Sequence, residues 1–240
     1  MREASDTSRE REVCRPNMDN QSRSRQHEIS RRHAVDVVIL IYLIIVLDGV
    51  LRKYLFPNIQ RELAFLRDPI VLYLYHNLVH HYGVGEFIRA AAEAGVDGLL
   101  VLDLPPEESD AYESLMKTAG LCVIYLVAPT TPDERIGLIV KRGAGFVYYV
   151  SREGVTGMQT KVAETIAMMT ARIRAHTDLP IAVGFGISNP EQARSVAATA
   201  EAVVVGSAVV NQIAEHGKSP DLVRRVASFT ETLIRAVKKK

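Results

Sequence analysis

From Pro69 to the C-terminus, short wholly apolar runs alternate with segments of helical period, and this beat constrains the chain more than any other feature. The runs are Ile70–Tyr75, Gly98–Asp103, Val123–Val127, Phe146–Val150, Ile181–Gly184 and Val203–Val205. Helical patterns lie between them at Gly85–Ala94, Glu107–Ala119, the stretch after Thr131-Pro132-Asp133-Glu134, and Lys161–His176, with Lys218–Lys240 closing the chain. Strands too apolar to alternate in polarity belong to a parallel sheet covered on both faces. Six βα units without a hairpin signal predict an α/β barrel, incomplete because about eight units are usual. Thr131-x-x-Glu134 and Ser188-x-x-Glu191 both have the form of a capping box, and Pro190 suits the first turn of a helix.

Two strand ends carry a chemical signal. Gly184-Phe185-Gly186-Ile187-Ser188 and Val203-Val204-Val205-Gly206-Ser207-Ala208 each leave an apolar run at glycine and open into a helical pattern. Glycine lets backbone N–H groups approach a ligand, and the positive end of the next helix favours an anion. Glycines also serve tight strand-to-helix connections. Two such turns in adjacent late units favour a phosphate site at the C-terminal end of a barrel.

Composition narrows the remaining classes. The formal net charge is +1, which makes no case for a nucleic-acid partner. Cys14 and Cys122 are the 2 cysteines, far apart and in dissimilar surroundings, so the chain reads as cytoplasmic, without a disulfide framework or a metal-ligand spacing. Cys122 begins an apolar run and reads as a small core residue. His76, His80 and His81 have near-helical spacing but no accompanying carboxylate, and read as surface or loop side chains rather than metal ligands. Asp103 ends a strand, where barrels place catalytic carboxylates. Glu107 and Glu108 open a helix and suit its dipole. Tyr148 and Tyr149 must alternate, one into the barrel and one beneath the helices.

The first third reads differently. Residues 1–33 are polar and charged and predict a disordered tail. Residues 34–68 form an apolar and basic segment around Val37–Leu47, a run about half the ~20 residues needed for a membrane span. A buried helix or strand is one reading of that run; a membrane-associated helix through 34–56, with basic residues outside it, is the other. The barrel portion then occupies 69–240. Lacking two units, it leaves the strands at Ile70–Tyr75 and Val203–Val205 as edges, and the 37–47 run can stand in for only one strand.

Several ordered motifs resemble the tryptophan synthase alpha subunit. They are Tyr75-His-Asn77, then Gly95-Val-Asp-Gly-Leu-Leu-Val-Leu-Asp103-Leu-Pro105-Pro-Glu107-Glu-Ser109, then Tyr148-Tyr-Val-Ser151-Arg-Glu-Gly154-Val-Thr156-Gly157. Gly184-Phe-Gly-Ile-Ser188-Asn-Pro190-Glu-Gln192 and Gly206-Ser207-Ala208 complete the set. The resemblance implies a (βα)8 TIM-barrel fold of which strands three to eight are present, preceded by an unrelated N-terminal extension. It implies cleavage of indole-3-glycerol phosphate to indole and glyceraldehyde 3-phosphate in tryptophan biosynthesis. No cofactor is implied for this chain, and the implied partner is the pyridoxal-phosphate beta subunit, which receives the indole. It further implies that Gly157, Gly184, Gly186, Gly206 and Ser207 surround the substrate phosphate. Tyr73, Leu100, Tyr148, Thr156 and Phe185 would line the pocket, and Asn77 and Asp103 would face the beta subunit.

One departure bears on activity. The family's acid–base glutamate at the end of strand two, and the aspartate of the following loop, have no counterpart in residues 34–68. Loss of a positioned acid or base removes about 10²–10⁴-fold of rate, so little or no cleavage is expected. The N-terminal stretch Leu47-Asp-Gly-Val-Leu-Arg52-Lys53, with Phe56-Pro57 and Phe65–Ile70, is similar to an early membrane segment of O-antigen ligase-like polymerases. That resemblance implies a fusion joined near Asp68–Tyr75.

Overall fold

The computed structural model describes residues 36–38, 69–151, 159–184 and 186–238. The tail expected over 1–33 and all of 34–68 except Asp36–Val38 lie outside the described residues. Among the described residues seven strands form one sheet: β1 (Asp36–Val38), β2 (Val71–Leu74), β3 (Gly98–Val101), β4 (Cys122–Val127), β5 (Val147–Val150), β6 (Ile181–Gly184) and β7 (Ala202–Val204). Their spatial order is β1-β7-β6-β5-β4-β3-β2, and every neighbouring pair is parallel. The fold is thus an incomplete (βα) barrel, with all strand C-termini on one rim.

Helices link the strands on the outer side. They are α1 (His76–Tyr82), α2 (Val84–Glu93), α3 (Asp110–Ala119), α4 (Asp133–Arg142), α5 (Gln159–Arg174), α6 (Pro190–Ala197), α7 (Ser207–His216) and α8 (Leu222–Lys238). Their apolar stripes follow helical spacing: α2 buries Phe87, Ile88 and Ala91, and α8 buries Leu233, Ala236 and Val237. Strand alternation divides the core in two. Leu99, Val101, Val123, Tyr125, Val147, Tyr149, Ile181, Val183 and Val203 join the helices in the larger, outer cluster. Leu100, Ile124, Tyr148, Ala182 and Val204 form the smaller cluster inside the curl. Tyr148 and Tyr149 therefore divide between the two faces as alternation requires.

The curl is measurable. Tyr73 of β2 and Tyr148 of β5 meet edge to face with ring centroids 6.0 Å apart. The same strands in a flat sheet would stand three spacings, about 14 Å, from each other. Only a sheet rolled towards a barrel brings these two rings together.

Several sequence expectations are corrected here. The membrane-associated reading of 34–56 is overturned at its start: Asp36–Val38 is a strand of the sheet, registered Asp36 to Ala202 and Val38 to Val204. Among the described residues no helix is long and apolar enough to cross a membrane. By the same pairing, the strand ending in Val204 is not an edge. The three histidines lie on α1, where His80 and His81 are exposed, and the His76 and His80 rings stand 5.9 Å apart. The region expected as one helix from Glu107 divides into a 3-10 turn at Pro106–Glu108 and α3. Neither capping box forms as written. Thr131 Oγ1 accepts from Ala128 N–H at 3.0 Å instead of capping α4. At α6 the box shifts by one residue: Asn189 Oδ1 accepts from Gln192 N–H at 2.9 Å, while Gln192 Oε1 accepts from Ser188 N–H at 2.8 Å.

Candidate active site

The concave side of the sheet supplies the floor. Parallel register sets Tyr73 beside Leu100, Leu100 beside Ile124, Leu126 beside Tyr148, and Tyr148 beside Ala182. Large side chains thus occupy β2 to β5 while β6 offers alanine and glycine. Leu100 is fully buried and Tyr148 nearly so. Among the described residues, the positions of β2 to β7 that alternate onto this face are apolar, aromatic or glycine, with Cys122 half-buried among them.

At the rim, β6 ends at Gly184, whose register partners are Val150 on one side and Val204 on the other. A Cβ built on Gly184 would fall 2.5 Å from the Tyr148 hydroxyl and 2.8 Å from Val204 Cβ. Only glycine fits this contact, so packing alone accounts for Gly184. Gly186 has φ 75, in the left-handed region that favours glycine, and turns the chain towards α6. After β7, Gly206 caps α7 and its carbonyl accepts from Val209 N–H at 3.0 Å and Val210 N–H at 3.1 Å. The N–H groups of Ser207 and Ala208, in the first turn, have no intrahelical acceptor by the geometry of any α-helix. Ser207 itself is exposed. An anion above this rim would meet backbone donors and the positive end of α7.

Around the rim, Asp103, one of the two residues expected to face a partner, accepts a bond that spacing did not reveal. Asp103 Oδ1, just past β3, accepts from the backbone N–H of His76, the first residue of α1, at 2.6 Å. Asp103 and Asn77 are both exposed. The bond explains the carboxylate at this strand end without assigning it a reaction. Glu107 pairs with Arg135 of α4 in two hydrogen bonds. Its carboxyl is held below the ordinary value by a backbone hydrogen bond and by Arg135.

A polar cluster further anchors this segment. Ser109 Oγ, fully buried, lies 2.7 Å from Glu113 Oε1 and 2.8 Å from the Pro106 carbonyl. Tyr125 on the outer face of β4 donates to the same carboxylate, and Arg142 Nε donates to Glu113 Oε1 at 2.9 Å. Arg142 also reaches Asp110. Burial alone would raise the Glu113 pKa, but the hydrogen bonds from Arg142, Tyr125 and Ser109 outweigh it and leave it lowered. Burial, then the neighbouring Glu113 carboxylate, pushes the Tyr125 phenol above its ordinary range. Sequence spacing could not have found this cluster, because Arg142 and Glu113 are 29 residues apart.

Of the residues singled out from sequence, Tyr73, Leu100 and Tyr148 lie together on the inner face. Gly184 ends β6 and Gly186 follows it, while Gly206 and Ser207 follow the adjacent β7. Thr156, Gly157 and Phe185 lie outside the described residues.

Comparison with known proteins follows this geometry. Residues 58–238 match the family model described as tryptophan synthase alpha chain. That span begins ahead of Pro69 and takes in Phe65–Ile70, part of the stretch likened above to an O-antigen ligase-like membrane segment. The match corrects that likeness and moves the family boundary towards the N-terminus. The tryptophan synthase alpha chain of Opitutus terrae is 50% identical over 193 residues, covering 80% of this chain and 73% of that one. The alpha chain of Thioalkalivibrio sulfidiphilus is 51% identical over 160 residues, covering 67% of this chain and 60% of that one. The chain therefore spans 60% to 73% of the length of these relatives. A solved structure of the tryptophan synthase α2β2 complex from Pyrococcus furiosus superposes with TM-score 0.68 at 34% identity, covering 75% of this chain and 72% of that one.

Proposed function

The chain belongs to the tryptophan synthase alpha chain family, and from that membership we propose that it binds a phosphorylated indole-glycerol ligand and a beta chain without cleaving the ligand. The observation that carries the binding half is the rim: two adjacent parallel strands end at Gly184 and Val204, and a helix N-terminus opens at Ser207 beside them. Gly157, Gly184, Gly186, Gly206 and Ser207 take the phosphate. Tyr73, Leu100, Tyr148, Thr156 and Phe185 hold the indole and glycerol portion. Asn77 and Asp103 face the partner, a role supported by the α2β2 assembly of the Pyrococcus furiosus relative.

The second half rests on what the site would need. Breaking the bond between the indole ring and the glycerol chain requires a proton delivered to the ring and another removed from a hydroxyl. Among the described residues of β2 to β7, the positions that alternate onto the inner face carry no carboxylate. Asp103, the carboxylate at a strand end, is engaged by the His76 N–H.

Calorimetric titration of the full chain with indole-3-glycerol phosphate tests the binding half. The wild type binds, and Ser207→Glu, which sets a carboxylate against the ligand phosphate while suiting the helix dipole, weakens binding about tenfold or more with little change in melting temperature. Equal affinity in the two proteins, or no binding by the wild type, contradicts the proposal.

A further inference from the structure

We infer that β1, which lies outside the 58–238 family match, is the docking strand that positions the phosphate rim, so this strand is a working part of the ligand site. The inference rests on the proposed phosphate reading for its ligand, but the strand's role stands on separate observations.

Val204 has two register partners, Gly184 on the β6 side and Val38 on the β1 side. Gly206 and Ser207 follow Val204 directly through Val205, so whatever fixes β7 laterally also fixes this turn. Without β1, β7 would be a 3-residue strand held by one ladder at the edge of the sheet. Such a short, one-sided strand is weakly specified in register and frays readily. A register slip of one residue would turn every β7 side chain to the opposite face. Helix α8, whose first residues follow α7, lies alongside β1 as well as α6, so the outer layer is also laid on this strand.

The pairing has the marks of a barrel strand. It runs parallel to β7 and matches residue for residue, Asp36 to Ala202, Val37 to Val203 and Val38 to Val204. Adventitious strand addition carries no preference for this direction, since antiparallel pairs are two- to threefold commoner overall. The level alignment of Val38, Val204 and Gly184 places the end of β1 on the same rim as the glycine turns.

The experiment uses the full chain with proline placed in turn at Val37 and Val38, and glycine at Val38 as a milder change. Proline removes a ladder donor at one of the two positions, and glycine weakens the strand without removing its N–H. Amide exchange is followed along the chain, and inorganic phosphate is titrated by calorimetry. In at least one proline variant, exchange over residues 203–208 rises and phosphate affinity falls, each by about tenfold, while β4 and β5 keep their protection. Val38→Gly moves both readouts in the same direction by less, and Val38→Ile restores wild-type values. Unchanged exchange over 203–208 in all variants overturns the inference, as does loss confined to global unfolding with Val38→Gly silent. If the wild type binds no phosphate, the phosphate reading fails, and the positioning role in ligand binding falls with it even where exchange responds.

Discussion

The hydroxyl of Tyr148 and the α-carbon of Gly184 are packed so closely that a single added methyl would stand 2.5 Å from the phenol oxygen. The inner tyrosine of β5 thereby dictates the residue at the end of β6, and the first glycine of the candidate phosphate turn is needed for packing before any ligand arrives. Gly184→Ala is expected to cost about 1–3 kcal/mol in urea unfolding, the range for overpacking a close-packed core. Tyr148→Phe in the same chain should recover part of the loss by removing the oxygen. Recovery stays incomplete because Val204 Cβ would remain 2.8 Å from the new methyl.

The contact between Tyr73 and Tyr148 is the clearest sign that the sheet is rolled. Tyr73→Leu removes an edge-to-face pair worth about 0.5–1.5 kcal/mol beyond its buried area. Unfolding midpoints of Tyr73→Leu, Tyr148→Leu and the double variant should show coupling of that size. Strict additivity would mean the rings do not support each other.

Asp103 is expected to act as a cap on α1. Asp103→Ala should cost about 0.5–2 kcal/mol, as loss of a helix cap does, and Asp103→Asn should keep most of that stability because its side-chain oxygen can still accept. Amide exchange of His76 is the direct readout. It should quicken in the alanine variant and stay slow in the asparagine variant.

Glu113 makes stability depend on acid. Its carboxyl is lowered in the folded chain by Arg142, Tyr125 and Ser109 against the opposing effect of burial. A carboxylate with a depressed folded pKa contributes stability that is fully present above its unfolded value, about 4.3, and is lost as pH falls through the folded value. Urea unfolding from pH 7 to pH 3 should therefore show a declining stability that flattens in Glu113→Gln. Arg142→Lys should weaken the same dependence, since lysine cannot reproduce the two-nitrogen contact with the carboxylate. A glutamine variant with an unaltered pH profile would contradict this assignment.

Much of the barrel could be read from residues alone, for a physical reason. Strands such as Ile181–Gly184, buried on both faces, leave apolar runs that no surface helix would tolerate, and glycines mark where they stop. What could not be read depended on competition or on distance. Thr131 could cap α4 or accept from Ala128 N–H, and only the folded loop decides for the latter. Ser188 and Asn189 both precede Pro190, and the asparagine takes the cap. The run from Val37 to Leu47 offered no boundary, so the strand at Asp36–Val38 emerged only from its register with β7. Tyr125, Glu113 and Arg142 come from three separate elements and meet only once the outer helices pack. For the ligand site, the family resemblance named Tyr73, Leu100 and Tyr148, alternation set Tyr148 and Tyr149 on opposite faces, and the curl of the sheet brought Tyr73 and Tyr148 into contact.

The measurement that bears most directly on the proposed function is indole release from indole-3-glycerol phosphate by the purified chain, at saturating ligand, alone and with a tryptophan synthase beta chain. A site with its phosphate rim but without a carboxylate among the described inner-face residues of β2 to β7 should release indole no faster than the uncatalysed reaction in both conditions. Saturable indole release in either condition would contradict the account, and would mean that a carboxylate reaches the indole ring after all.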